Sequence, residues 1–334
     1  MNILSLFDGM SCGRIALERA GIEVENYYAS ELDKYAIKVT QANWPETVQL
    51  GDVTKWHDWD VDWCNIDLLI GGSPCQGFSF AGKQLAFDDP RSKLFFVYVD
   101  ILNHIRSVNP RIKFMLENVK MKKEYLAVIS EQLGVEPVFI NSALVSAQNR
   151  QRYYWANWNF DQPEDKGLVL ADIVENEPFD KTIMSDKFTT RNKSAGCLRD
   201  DVSGKAKSLS AMEYVKNGRQ GDYIACGQMV GRKINPETGK RDDYNPNIKQ
   251  TQRMELRSDN KTNCLTSVQK DNYIVREKSK IKVQYRKLTP IECERLQTAP
   301  DNYTNHVSNT QRYKMLGNGW TVDVISHIFK SMTK

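Results

Sequence analysis

The feature that most constrains the fold of this chain is a series of five short apolar segments, each followed by glycine or polar residues. The segments are residues 3–7, 27–30, 47–50, 66–70 and 114–116. Amphipathic stretches at residues 12–20, 33–43 and 94–105 separate them. Strands that alternate with helices at this spacing are typical of βαβ units. We therefore predict an α/β fold built around a mostly parallel sheet.

The polar ends of these segments predict the position of a functional site. In a parallel sheet, ligands bind at the carboxyl ends of the strands. The clusters found there are Asp8-Gly9, Glu31, Asp52, Pro74-Cys75 and Glu117-Asn118. We expect all five to meet at one edge of the sheet.

The composition of the chain changes near residue 186. Residues 186–285 contain 21 Lys and Arg against 12 Asp and Glu, a net charge of +9, whereas the whole chain carries +4. This segment is also rich in Asn and Gly, which predicts a second, loop-rich domain. Such a basic module suits a phosphate backbone, although a solvated Lys-rich surface would look the same.

After this segment, structured sequence returns. Thr289 and Glu292 form a capping-box pattern with Pro290 at the first helical position, so a helix should begin there. A last helix at about residues 320–331 is apolar on one face and is expected to pack against the first half of the chain.

Several classes of protein are disfavoured. We find no run of ~18 apolar residues and no signal-peptide pattern at the N-terminus, so we expect a cytoplasmic protein without a membrane span. The seven cysteines form no C-x-x-C pair, which argues against a disulfide framework and a Cys-rich zinc site. We therefore expect no metal.

Residues 7–13 form the first strand-to-helix turn and are a candidate nucleoside site. Ser11 stands where a dinucleotide fingerprint would have its second glycine, which disfavours a pyrophosphate but allows a nucleoside without phosphates. Glu31 is placed to bind ribose hydroxyls, and Asp52 could bind an adenine amino group. A plain glycine helix-cap turn is the alternative.

Two of the strand-end clusters carry groups suited to catalysis. Cys75 lies on a loop bracketed by Gly and Pro, where an exposed thiolate would be a strong nucleophile, although free cysteines are commonly buried. Glu117 could stay protonated and donate to a base ring nitrogen, or it could simply cap a helix.

Arg150 and Arg152 alternate along a predicted strand and should therefore share one face. Two neighbouring guanidiniums suit a phosphate, a carboxylate or a carbonyl oxygen. The alternative is an ion pair on a surface strand.

Taken together, these motifs resemble those of the C5-cytosine-specific DNA methyltransferases. In order, the chain has a Phe-Asp-Gly turn, Pro-Cys-Gln, Glu-Asn-Val, Gln-x-Arg-x-Arg, Arg-x-Leu-Thr-x-x-Glu and Gly-Asn. The resemblance covers about residues 1–175 and 286–334. It is to the bacterial and phage type, with some similarity to the animal de novo branch at residues 5–9 and 307–320.

The resemblance implies a Rossmann-like, class I S-adenosylmethionine-dependent fold. Residues 1–185, completed by 286–334, would form the catalytic domain, and residues 186–285 the target recognition domain. Cys75 would add to C6 of a flipped-out cytosine, Glu117 would hold protonated N3, and Arg152 would hold O2. Arg150 would support the loop that carries Cys75, or a nearby phosphate.

The resemblance also implies a set of residues around S-adenosylmethionine. Two departures from the family pattern concern this site: Ser11 replaces a common Gly, and Gly319-Trp320 replaces the Ser-Val of many bacterial members. The implied cofactor residues are Phe7, Asp8, Gly9, Met10, Ser11, Glu31, Asp52, Val53, Pro74, Leu94, Asn318 and Trp320.

The implied partner is double-stranded DNA, with a cognate restriction endonuclease as a further candidate, and the implied state is a monomer in the cytoplasm, associated with the nucleoid. A tRNA cytosine-5 methyltransferase is the nearest alternative, but its Cys-Phe-Thr tripeptide is absent. A non-catalytic DNA-binding regulator would usually have lost the nucleophile or the cofactor turn, and this chain keeps both.

Overall fold

The computed structural model describes residues 1–74, 93–179, 181–184, 188–190 and 224–332, except 237, 239–240, 243, 258, 260, 268–271 and 280–281. The predicted nucleophile Cys75 therefore lies outside the described residues.

The first sheet is mostly parallel, as predicted. Its order is β3-β2-β1-β4-β5-β7-β6, and only β7 runs antiparallel to its neighbours. The strands are β1 (Asn2–Leu6), β2 (Asn26–Ser30), β3 (Val48–Gln49), β4 (Leu68–Gly71), β5 (Lys113–Val119), β6 (Val138–Asn141) and β7 (Gln151–Ala156).

Helices cover both faces of this sheet because successive strand side chains point to opposite sides. Leu4 and Leu69 pack with the helix α3, while Ile3 and Ile70 pack on the opposite face with α1 and α7. The helices are α1 (Cys12–Arg19), α2 (Lys34–Asn43), α3 (Lys93–Val108), α4 (Lys123–Leu133), α5 (Pro290–Leu296), α6 (Asn309–Asn318) and α7 (Val322–Met332).

Both sequence predictions for the C-terminal part are confirmed. Thr289 and Glu292 form the predicted capping box at the start of α5. The last helix, α7, buries Ile325, Ile328 and Phe329 in the core that contains α1, so the chain closes back onto its first half.

A second, largely antiparallel sheet forms the smaller domain. Its order is β8-β13-β12-β10-β11-β9, in which only the β11–β9 pair is parallel. The strands are β8 (Lys181–Met184), β9 (Phe188–Thr190), β10 (Ile224–Arg232), β11 (Thr251–Leu256), β12 (Tyr273–Ser279) and β13 (Lys282–Lys287).

The segment between β11 and β12 joins this domain to the first sheet. The Lys261 ammonium donates to the carbonyl oxygens of Ala143, Ser146 and Leu168 at 2.8, 3.3 and 2.7 Å. Thr262 forms a bridge with Gln148 just before β7. Residues 261–267 are thereby held against the part of the first sheet that carries the two predicted arginines.

None of the described helices is long and apolar enough to cross a membrane.

Candidate active site

A single cleft lies at the carboxyl ends of β1, β2, β4 and β5. Its volume is about 590 Å³, within the ~300–1,000 Å³ range of small-molecule sites. Described residues from all five predicted strand-end clusters line its wall. Pro74 represents the Pro74-Cys75 cluster, because Cys75 is outside the described residues. The predicted residues that line it are Phe7, Asp8, Gly9, Glu31, Asp52, Val53, Pro74, Leu94, Glu117, Arg150, Arg152, Asn318 and Trp320.

Two predicted cofactor residues, Met10 and Ser11, do not reach this wall with their side chains. Met10 is 1 % exposed and packs in the core, and Ser11 is fully buried. The reason is the backbone of the turn: Phe7, Gly9 and Ser11 all have positive φ, at 59°, 59° and 61°. Conversely, Leu32 and Gly72 line the cleft and were not predicted.

Ser11 takes the left-handed conformation that the family's glycine would favour. Its hydroxyl donates to the Asp8 carboxylate and lies 2.8 Å from the Thr40 hydroxyl. A buried serine in this conformation is costly, and these hydrogen bonds offset part of that cost. The departure at Ser11 therefore preserves the shape of the turn.

Asp8 lies at the centre of a buried hydrogen-bond network. Besides Ser11, it accepts hydrogen bonds from the hydroxyls of Ser5 at 2.6 Å and Tyr27 at 2.7 Å. Burial raises the pKa of Asp8 from 3.8 to about 6, because these hydrogen bonds only partly offset the loss of water around the carboxylate.

Glu31 has a carboxylate fixed by backbone donors. Gly9 donates to it at 2.7 Å, and Leu32 and Asp33 donate to its other oxygen at 2.7 and 2.8 Å. A carboxylate offers about four acceptor positions, so one remains for a ligand hydroxyl.

Asp52 lies three residues beyond the end of β3, where it caps the 3-10 helix Val53–Asp58. Its Oδ1 accepts from the backbone and hydroxyl of Thr54 at 2.9 and 2.8 Å. These hydrogen bonds lower the pKa of Asp52 and keep it ionised, so it can accept a hydrogen bond from an amino group at the cleft.

Glu117 and Asn118 belong to β5 itself, whereas the sequence predicted them just after that strand. Pairing with β7 extends β5, since Glu117 lies opposite Tyr154. Glu117 is 8 % exposed and accepts at both carboxylate oxygens. Arg152 Nε lies 2.8 Å from Oε1, and the indole Nε1 of Trp320 donates to Oε2 at 3.1 Å.

Arg150 is buried at 3 % exposure and precedes β7. It donates to the carbonyl oxygens of Gly319, Gly317 and Leu265 at 2.8, 3.2 and 3.3 Å. These hydrogen bonds connect the end of α6 with the segment between β11 and β12. Arg150 also lines the cleft, and its expected contact with a phosphate stays a prediction. Its expected contact with the loop that carries Cys75 lies outside the described residues.

Cys264, in the segment between β11 and β12, lies against both arginines. Its Sγ is 3.1 Å from Arg150 Nη1 and 3.7 Å from Arg152 Nη2. Although burial alone would raise the pKa of a thiol, the two guanidiniums outweigh it and lower the pKa of Cys264. The two arginines therefore share one neighbour, which lies more than a hundred residues away in the sequence, although only Arg152 belongs to β7.

Among the described residues, no group of three or more His, Cys, Asp and Glu side chains could hold a metal ion.

Comparison with known proteins places this geometry in context. The family model "C-5 cytosine-specific DNA methylase" matches residues 1–334. The type II methyltransferase M1.ScrFI of Lactococcus lactis subsp. cremoris is 30% identical over 99% of this chain and 77% of its own length. M.HhaI of Haemophilus parahaemolyticus is 26% identical over 98% of this chain and 93% of its own.

Solved structures show the same fold. A DNMT2 mutant of Spodoptera frugiperda matches with a TM-score of 0.58 and 18% identity, over 100% of this chain and 99% of that chain. The Entamoeba histolytica methyltransferase EhMeth has the same TM-score and identity, over 99% and 97% of the two chains.

Proposed function

Because this chain belongs to the C-5 cytosine-specific DNA methylase family, we propose that it methylates C5 of a cytosine flipped out of a specific duplex DNA sequence. The observation that carries this proposal is the cleft itself. The turn at Asp8-Gly9, which is the candidate nucleoside site, and the Glu117–Arg152 pair line the same cleft. A methyl donor and a base could therefore meet in it.

The methyl donor that best fits the first half of the cleft is S-adenosylmethionine. Glu31 has spare acceptor capacity for ribose hydroxyls, and Asp52 has an oxygen to which no described residue donates. Phe7, Val53 and Leu94 offer apolar contact, and the turn offers no phosphate-binding backbone of the dinucleotide type. When bound, this cofactor would supply an electrophilic methyl group.

The second half of the cleft fits a cytosine. C5 is too weak a nucleophile to attack a sulfonium methyl unaided, so electron density must be pushed onto it. In our proposal, the Cys75 thiolate adds to C6 while Glu117 holds protonated N3 and Arg152 holds O2. C5 then takes the methyl group, a water removes the C5 proton, and the C6–S bond breaks as Cys75 leaves. Arg152 keeps N–H donors free for its contact with O2 after its bond to Glu117, since a guanidinium has five. The role of Cys75 rests on its sequence motif alone.

Substrate binding is assigned to the recognition domain. Residues 186–285 carry a net charge of +9, which suits the phosphates of duplex DNA. Flipping a base costs a few kcal/mol, which contacts of this domain must offset. We expect a monomer acting on DNA in the cytoplasm at the nucleoid, with a cognate restriction endonuclease as a candidate partner.

The test is transfer of labelled methyl from S-adenosylmethionine to unmethylated duplex DNA and to tRNA in parallel. We expect the wild type to label DNA and Cys75→Ala to label neither. Cys64→Ala, which removes an exposed thiol of the 3-10 helix Trp63–Asn65, is the matched control and should keep full activity.

Two outcomes would contradict the proposal. Label in tRNA alone would mean that the substrate is wrong, and activity of Cys75→Ala equal to that of the wild type would mean that the nucleophile is wrong. DNA binding without any methyl transfer would instead favour the non-catalytic regulator.

A further inference from the structure

The indole of Trp320 spans the two halves of the cleft. At one end, its Nε1 donates to Glu117 Oε2 at 3.1 Å. At the other end, its Cζ3 lies 3.5 Å from the point where a Cβ on Gly13, in the first turn of α1, would sit. The same side chain thus lies beside Gly13 and donates a hydrogen bond to a predicted catalytic carboxylate.

The surrounding backbone leaves room for this contact only because residue 72 is glycine. A Cβ on Gly72 would lie 2.9 Å from the Trp320 Nε1 and 3.1 Å from Glu117 Oε2. Any side chain there would push the indole and the carboxylate apart. Local packing is therefore built around this hydrogen bond.

The main chain on both sides of Trp320 is held in place. The carbonyl of Gly319 accepts from Arg150 at 2.8 Å and from Gln297 at 3.3 Å. On the other side, the Thr321 hydroxyl donates to Gln297 Oε1 at 3.0 Å, and Thr321 is 1 % exposed. The backbone segment that carries the indole is thus held by contacts within the protein.

The end of a glutamate side chain rotates easily, since its last torsion is broad. At Glu117, Arg152 Nε holds one oxygen at 2.8 Å and Trp320 holds the other at 3.1 Å. Two donors on two oxygens fix both the plane and the direction of the carboxylate. Fixed orientation of a catalytic group contributes strongly to rate.

We propose that Trp320 is a positioning residue for Glu117, whose indole N–H orients the carboxylate toward the target cytosine. This role is additional to contact with the cofactor, and it rests on the proposed function. A side chain that only lines the cofactor site would change cofactor affinity. A positioning residue changes kcat while cofactor affinity stays constant.

The sharpest test replaces the Trp320 indole with a benzothiophene through site-specific incorporation of β-(3-benzothienyl)alanine, which keeps the ring shape and removes the N–H. We expect kcat for DNA methylation to fall about tenfold to a hundredfold, as for loss of one orienting contact in a catalytic site. The dissociation constant of S-adenosylmethionine, measured by calorimetry, should stay within about threefold, since the apolar contact area is unchanged. Trp320→Phe should show the same kcat loss with some loss of cofactor affinity.

The matched control is the same replacement at Trp158, which does not line the cleft. Its N–H donates to the Ile328 carbonyl at 3.0 Å. This replacement should leave kcat unchanged. In a Glu117→Gln background, the Trp320 replacement should have little further effect, because coupled residues are not additive. An unchanged kcat at Trp320, or a kcat loss matched by equal loss of cofactor affinity, would overturn the proposal.

A second readout does not depend on activity. In protein labelled with ¹⁵N-tryptophan, the indole signal of Trp320 is assigned by its absence in Trp320→Phe. Glu117→Gln should shift this signal more than the other indole signals, and an unmoved signal would refute the contact. If the wild type fails to methylate DNA, the proposed function fails, while this measurement still decides whether Trp320 holds Glu117.

Discussion

Replacing Asp8 with asparagine should change how the stability of the protein depends on pH. Asp8 is partly buried in the first strand-to-helix turn, and the loss of water around its carboxylate raises its pKa from 3.8 to about 6. The folded chain thus keeps this proton at a pH where the unfolded chain has released it. The contribution of Asp8 to stability is therefore fully present below about pH 3.8 and is lost as the pH rises through about 6.

The size of this loss follows from the shift. One pKa unit corresponds to about 1.4 kcal/mol, so ionised Asp8 costs the fold up to about 3 kcal/mol at high pH. Of this, roughly 1.4 kcal/mol is lost between about pH 5 and pH 8. Asparagine does not ionise and can keep the hydrogen bonds of the network. Its Oδ1 can accept from Ser5 and Tyr27, and its amide can donate to Ser11, whose hydroxyl then donates to Thr40.

The assay is urea unfolding followed by tryptophan fluorescence, with the free energy of unfolding taken from linear extrapolation. The difference in unfolding free energy between Asp8→Asn and the wild type should be about 1.4 kcal/mol more favourable to the variant at pH 8 than at pH 5. Asp60→Asn, at an exposed carboxylate, controls for the change in net charge and should follow the wild type. Parallel curves for wild type and Asp8→Asn would refute the reasoning.

Three further substitutions test the contacts that hold the domains together. A Cβ on Gly317 would lie 2.2 Å from the carbonyl carbon of Thr266, so Gly317→Ala should separate α6 from residues 261–267 and destabilise the protein by about 1–3 kcal/mol. An unchanged melting temperature would contradict this. Arg150→Lys removes the guanidinium that donates to three carbonyl oxygens and should lower the free energy of unfolding in urea by about 2–4 kcal/mol. An unfolding midpoint equal to that of the wild type would mean that these hydrogen bonds make no net contribution to stability. Glu292→Gln leaves Arg286 buried without its ion-pair partner and should lower the free energy of unfolding, measured by thermal unfolding, by about 3–5 kcal/mol. A loss of stability below about 1 kcal/mol would show that a neutral hydrogen bond can replace the ion pair.

The parallel strands and the position of the site could be predicted from sequence because both depend on local pattern. Residues 3–7 and 66–70 predict β1 and β4 within one or two residues. The polar groups after such strands meet for a topological reason, which holds whatever the side chains are. Burial of Met10 could not be foreseen, because it depends on three positive φ values in one short turn.

Contacts between distant parts of the chain were also beyond sequence reasoning. The Trp320–Glu117 hydrogen bond joins residues 203 positions apart, and Cys264 meets Arg152 across 112 positions. No periodicity links such residues. Glu117 was predicted after its strand because the added pairing with β7, which extends β5, involves a strand much later in the chain.

The packing of α1 against α7 has a consequence for how the protein is made. The Arg19 guanidinium binds Asp323, 304 residues later, and the core that buries α1 includes Ile325, Ile328 and Phe329 of α7. At a synthesis rate of about 5–20 residues per second, α1 waits roughly 15–60 s on the ribosome before α7 emerges. During that time, the surface of α1 that packs against α7 has no partner. Because α7 follows residues 186–285 in the chain, the contacts between α1 and α7 are among the last of the main core to form.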